Sequence, residues 1–470
     1  MDLKPRIMLF LLLGFFLWGC QASLKQLNPP LENEGEVYLY LQPFPYETEG
    51  LRFTVETLGA IDAEGREFPL SVLLQEVKGE GMRRQRLLAS GALPAGRYLG
   101  FSLKVRQAFL RREGGEAALL VPEKPTRLDF PFTVARKKGY VFLLVFKYPE
   151  STPGELSFSP VFSIFFPDRP LADLTGFVTN SDGNNIMVFN KKSFQVVGVI
   201  PTGRKPSGMA LDQQFRRAYV AIRGDDTIDF IDVLGGQVFD RLRLNSGDEP
   251  CELALTPDGR MLLSANTGSN TVSFIDPRSR FEVGRVRVGN GPRSISIDPT
   301  GRRAFVFNTL GNTISVIDIP NRALVTSIST DSGPVRGAFN RRGDKLYIIH
   351  ELSPYVAVLN PASLSFSGRF PVRISGMSSI KVSSPTDLIY LGGSRDFFVG
   401  LFDPLSFAPV DRIPTGIGVS YMTIDGEGNN LYMVSTASGR VLISNLINRR
   451  IIGEMDVGEG PYWVTMMGER

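Results

Sequence analysis

The 470-residue chain is poor in the residues that build covalent or metal-held frameworks, with two cysteines and one histidine. These counts exclude or strongly disfavour a disulfide scaffold, a multi-Cys/His zinc site and c-type haem attachment. Neither a metal nor another cofactor is therefore expected. Charge of one sign is also scarce, since 52 Lys+Arg against 48 Asp+Glu leave +4. That balance argues against a generally basic nucleic-acid binder and against an acidic disordered tail. What the chain has in quantity is turn residues and apolar mass: 48 Gly, 32 Pro and 43% hydrophobic residues. Its length is roughly three times that of a usual domain and calls for several domains or one large repeat.

The start reads MDLKPRIMLFLLLGFFLWGC. Lys4 and Arg6 precede an apolar run from Ile7 to Leu17 that is too short for a stable membrane span but suits a secretory signal. The ending Leu17-Trp18-Gly19-Cys20 resembles the lipobox of bacterial lipoproteins, with Trp18 in place of the usual small residue. That resemblance implies cleavage before Cys20 and lipid attachment to it. Gln21 rather than Asp then implies the outer membrane, if the envelope is Gram-negative. Residues 1–19 read as the signal and the polar, Pro-containing 20–34 as a tether. With Cys20 lipidated, Cys251 has no partner and no intramolecular disulfide is expected.

Residues 35–168 alternate short apolar runs with turn residues, as in EVYLYLQP, LRFTVETL and YVFLLVFKY. Val, Phe, Leu and Tyr dominate, and no helix-length stretch shows a 3.6-residue period. Eight or nine strands over this length suggest a β-sandwich. LPAGRYLGFSLKV (93–105) resembles the hairpin of immunoglobulin- or prealbumin-like modules. Its basic runs read as turn or edge-strand charge.

From residue 171 to 470 the chain repeats. Segments of the type YVAIRGDDTIDFIDV begin at Phe177, Tyr219, Leu263, Phe305, Tyr347, Tyr390 and Tyr432, with spacings of 42, 44, 42, 42, 43 and 42. Thirteen residues before each of the last six starts stand Pro206, Pro250, Pro292, Pro334, Met377 and Val419, and Pro461 follows one period later. A period in the low forties with four strands per unit predicts a propeller, here of seven blades. The first unit lacks its Pro-led strand and the last Pro-led strand has no unit after it, so the C-terminal strand should close the first blade. The Gly-x-x-Pro anchors, the Tyr/Phe-Val-x-Asn strands and the Thr-Ile/Val-x-x-Ile-Asp strands resemble the YVTN family of β-propeller repeats of bacterial and archaeal envelopes. The later blades depart from it, with Met377 and Val419 for Pro and Gly393 and Ser435 for Asn. The family resemblance implies a binding or scaffolding role. The overall fold class is thus all-β, a sandwich followed by a propeller.

Most repeated polar residues read as structural. Asp232, Asp276, Asp318, Asp403, Asn190, Asn360 and Asn445 end the third strand of each unit and suit turn caps. His350 occupies the slot of Asn180, Asn266 and Asn308. Two features stand out beyond the repeat. Residues after the Pro anchors border the channel mouth, and Glu252, Arg293, Arg336, Tyr421, Tyr462 and Trp463 are large and polar or aromatic there. They offer stacking and anion contacts, and the three charges an ion-pair network. The second is a basic rim of turns on one face, with Lys191, Lys192, Arg216, Arg217, Arg302, Arg303, Arg341 and Arg342, opposite a face richer in Asp and Glu. These observations lead to a lipid-anchored envelope binding or scaffold protein with a protein or polysaccharide partner, no nucleic acid, and no enzymatic activity. The alternative is a hydrolase of the lactonase type, for which Glu252 with Arg336 is the candidate pair.

Overall fold

The computed structural model describes residues 31–426 and 429–469. The signal, Cys20 and most of the tether lie outside the described residues. Among the described residues no helix is long and apolar enough to cross a membrane.

The N-terminal part contains β1 (Glu34–Leu41), β2 (Leu51–Asp62), β3 (Glu67–Val72), β4 (Glu76–Lys78), β5 (Arg86–Pro94), β6 (Gly96–Arg112), β7 (Gly115–Leu119), β8 (Thr126–Val134), β9 (Gly139–Phe146) and β10 (Phe162–Phe165). The expected sandwich of two separate sheets is corrected to one hydrogen-bonded sheet of ten strands, bent into a half-barrel. The joint is β3. It pairs antiparallel with β2 through Leu58↔Leu70 to Ile61↔Glu67 and with β5 through Ser71↔Ser90 and Val72↔Ala89. The bend wraps an aromatic core in which Phe101, Phe132 and Phe142 pack with ring centroids 4.8–5.1 Å apart.

The rest forms seven four-stranded antiparallel sheets, one per repeat, which the 42-residue period predicts. Blade 1 consists of β11 (Thr175–Asn180), β12 (Asn185–Asn190), β13 (Gln195–Pro201) and the strand Pro461–Met466, which is innermost. That last strand pairs with β11 from Gly176↔Met466 to Asn180↔Pro461, so the ring is closed by hydrogen bonds rather than by a loop.

The repeated residues explain the assembly. All seven Asp/Asn positions at the end of the third strands accept backbone N–H groups of the following turn, as in Asp276 from Arg278 (2.9 Å) and Asn360 from Ala362 (2.9 Å). The hydroxyl after the Asn slot reaches the next blade. Ser181, Thr267, Thr309 and Thr436 donate to the carbonyls of Pro206, Pro292, Pro334 and Pro461 at 2.7–2.8 Å. These four anchors therefore each give the neighbouring blade an acceptor. His350 is fully buried in its Asn slot and is held between the Thr330 hydroxyl (2.9 Å) and the Tyr355 carbonyl (3.2 Å). Burial lowers its pKa, which favours the neutral ring. Cys251 is a free thiol buried against the Arg293 carbonyl at 3.2 Å, and burial raises its pKa to about 11.

The two parts share a core. β1 and β9 pair in parallel and alternate between two apolar environments. Val37, Leu39, Phe142 and Leu144 face the half-barrel, whereas Tyr38, Tyr40, Val141 and Leu143 pack with Val196, Val199 and Met455 of blades 1 and 7. At this interface Gly139 comes so close that an added Cβ would lie 2.4 Å from Val199 Cγ1. Polar contacts border it. Arg86 pairs with Asp456 at 2.7 Å, and Tyr40 donates to the Asp456 carbonyl at 2.9 Å. The Gln85 amide binds both backbone groups of Val196, donating to its carbonyl (3.1 Å) and accepting its N–H (2.8 Å), as a neighbouring strand would.

Candidate functional site

The channel mouth opens on the face that carries the second-to-third-strand turns. Its floor and wall come from the first residues of the innermost strands, because the Pro anchor starts each of them at the channel. The cavity is about 220 Å³ and its lining includes Arg293, Arg336, Glu351, Ser378, Tyr421, Tyr462 and Trp463. Five of the six mouth residues singled out in the sequence thus line one cavity, and the sixth, Glu252, lies beneath Arg336.

Glu252 is 4% exposed. Its two oxygens accept from Arg336, Oε2 from Nη2 at 2.6 Å and Oε1 from Nη1 at 3.1 Å. Burial raises the Glu252 pKa against the pull of Arg336. The guanidinium of Arg336 sits 5.0 Å from the ring centroids of both Tyr421 and Trp463, which stack on each other at 3.8 Å. Its Nε is buried and has no hydrogen-bond partner among the described residues. The charge is therefore held by a bidentate carboxylate and two π faces, with one N–H left over.

The expected three-way network is corrected. Arg293 does not join Glu252 and Arg336 but pairs with Glu351 at 2.8 Å on the rim. The reason lies in the repeat: Glu351 stands in the slot from which Ser181, Thr267, Thr309 and Thr436 tie their blades to the next Pro. Freed from that tie, it reaches the cation of the preceding blade. This substitution in the repeat was the signal that could have placed Glu351 in the site. Deeper in the channel, Lys381 lies 3.4 Å from Glu469 and 5.7 Å from the Tyr421 centroid. Glu469 also accepts from Thr423 and Thr465. Lys381 and Glu469 escaped the sequence reading because neither follows an anchor.

The basic-rim residues fall in the first and third turns of the blades, which an antiparallel meander puts at one end of the ring. Several are engaged. Lys191 donates to the Met467 carbonyl (3.1 Å), Arg303 to the Pro361 carbonyl (2.9 Å), and Arg217 lies over Phe239 at 5.4 Å. Lys192, Arg216, Arg302, Arg341 and Arg342 are exposed. Among the described residues no group of three or more His, Cys, Asp or Glu could hold a metal ion.

Residues 172–376 match the family model described as YNCE-like beta-propeller. The match spans the first five blades, and the two that follow include those whose anchors are Met377 and Val419. No curated protein matches the chain. Among solved structures, hydrazine synthase of Kuenenia stuttgartiensis is 18% identical with a TM-score of 0.54, covering 59% of this chain and 93% of that one. A putative 6-phosphogluconolactonase of Bacteroides fragilis is 15% identical with a TM-score of 0.53, covering 63% and 99%. The dihydro-haem d1 dehydrogenase NirN is 14% identical with a TM-score of 0.51, covering 64% and 77%. At these identities the likeness is one of fold.

Proposed function

We propose that the chain is a lipid-anchored cell-envelope binding or scaffold protein whose propeller engages a protein or polymer partner at its channel mouth and faces. The observation that carries this reading is the mouth itself. It combines an exposed Arg293–Glu351 pair, the Arg336 guanidinium and the Tyr462 ring within one cavity. Such a site offers hydrogen bonds and a polar rim around a fixed aromatic centre. The lipobox-like Leu17-Trp18-Gly19-Cys20 supports the membrane attachment, and the absence of Asp after Cys20 supports the outer membrane. Two acyl chains on Cys20 would make that attachment stable.

The hydrolase alternative is less favoured by the same geometry. Glu252 is buried, bidentate with Arg336 and outside the cavity lining, so it is poorly placed for a general base. Because Glu252 and Arg336 hold each other, the binding test uses the rim. A pull-down from detergent-solubilised envelopes is expected to retain a partner on the native protein and to lose it with Arg293→Ala or Tyr462→Ala. Lactone hydrolysis that disappears in Glu252→Gln would overturn the binding reading in favour of the hydrolase. Release of Cys20→Ala from the membrane fraction checks the anchor separately.

A further inference from the structure

A second and larger cavity lies away from the channel, between the half-barrel and the outer side of the propeller. It measures about 950 Å³, within the range of ligand sites and at a domain junction, where such sites concentrate. One wall is the β8–β9 turn with Lys137 and Lys138. Another is the outer edge strand β13, and the third is the blade 2 turn around Leu234. The linker carrying Phe166 and Arg169 forms the floor.

We propose that this cleft binds an extended acidic peptide segment of a partner protein, with apolar side chains interspersed among its carboxylates. Charge is the first argument. Two of the lining's charges are already committed: Arg241 is bidentate with Asp229 (2.6 and 2.8 Å), and Asp225 is held by Arg204 (2.6 Å). Lys137, Lys138 and Arg169 are exposed and none has a carboxylate partner among the described residues. Lys138 instead donates to Gln237 Oε1 at 2.8 Å, and Arg169 to the Leu234 carbonyl at 3.4 Å. Besides the paired Asp225, the described lining carries one carboxylate, Glu32.

The second argument is the apolar part of the lining. Phe166 is 47% and Leu234 55% exposed beside these cations. Cations of the β8–β9 turn and the linker and apolar side chains of the linker and the blade 2 turn thus flank the uncharged edge strand β13, which suits an extended chain that presents side chains to opposite sides in turn. A polysaccharide would be better served by a row of aromatic platforms, whereas Val and Pro side chains make up much of this wall. The third argument is rigidity. The walls are fixed to each other by the shared core behind Val199, so the cleft exists before the ligand arrives and little ordering is required.

The test is fluorescence anisotropy of the purified protein with a labelled ten-residue peptide alternating Glu and Leu, against the same peptide with Lys for Glu. The acidic peptide is expected to bind and the basic one not. Lys138→Glu with Arg169→Glu should weaken binding at least tenfold, whereas Arg341→Glu with Arg342→Glu on the distant rim should leave it unchanged. Lys137→Glu, in an exposed turn, gives an independent reading if the double variant melts early. Equal binding of both peptides, equal loss in the rim variant, or no binding overturns the proposal. So does binding of a polyuronate in place of the peptide, or a sedimenting dimer that the Lys138/Arg169 variant dissolves. The channel-mouth reading stands or falls separately, because none of these residues lies there.

Discussion

Glu36 lies at the seam between the two domains, where Asn185 donates to it at 3.1 Å and the Tyr38 hydroxyl at 3.4 Å. Burial outweighs both contacts and pushes its carboxyl up from 4.5 to about 7. A raised carboxyl pKa means that the folded state holds the proton more tightly than the unfolded one. Stability is then fully retained below pH 4.5 and falls as pH rises toward 7. Glu36→Gln keeps the uncharged shape and removes that slope. Urea denaturation should find the variant equal to the native protein near pH 4.5 and about 1–3 kcal/mol more stable at pH 8; equal stability at both pH values would refute the assignment. Single residues were unevenly legible in the sequence. Glu252, Arg293, Arg336, Tyr421, Tyr462 and Trp463 follow the anchor positions and could be read from register alone, whereas Glu351 does not. Glu36, Gln85 and Asn185 could not, because their roles depend on a contact between segments about 110–150 positions apart.

At the level of strands and turns, the repeat does most of the explaining. A hydroxyl after the Asn slot and a Pro carbonyl one blade on recur as donor and acceptor, so the ring is held by the same bond in several copies. Thr267→Val and Thr309→Val keep the shape and remove the hydroxyl donors to the carbonyls of Pro292 and Pro334. Each should cost about 1 kcal/mol in thermal or urea unfolding, whereas the same change at exposed Thr300 should cost less. The blades were legible because a period repeated seven times averages out local irregularity. The half-barrel has no such repetition. Its strands could be recognised from composition, but the run FPLSVLLQEV divides into β3 and β4. The double pairing of β3, which turns two sheets into one, is a register fact that no single segment encodes.

For the whole molecule the shared core is decisive. Tyr38, Tyr40, Val141 and Leu143 are as buried as the centre of either domain, so the half-barrel and propeller should unfold together. Calorimetry is expected to show one transition, and two separated transitions would contradict the coupling. A sequence clue was present. β1 and β9 are apolar on both faces, the pattern of strands covered on two sides rather than of an outer sandwich sheet. The closing strand adds a consequence in time. β9 ends at Phe146 and the strand that completes blade 1 ends at Met466, so roughly 320 residues separate one side of the seam from the last piece of the other. At typical rates of synthesis that interval is on the order of half a minute. Throughout it, the tyrosine-bearing flank of the half-barrel has no finished surface to rest on. The nascent chain therefore carries an exposed apolar strip for most of its production, and whatever shields that strip during synthesis acts on the N-terminal domain, not on the blades.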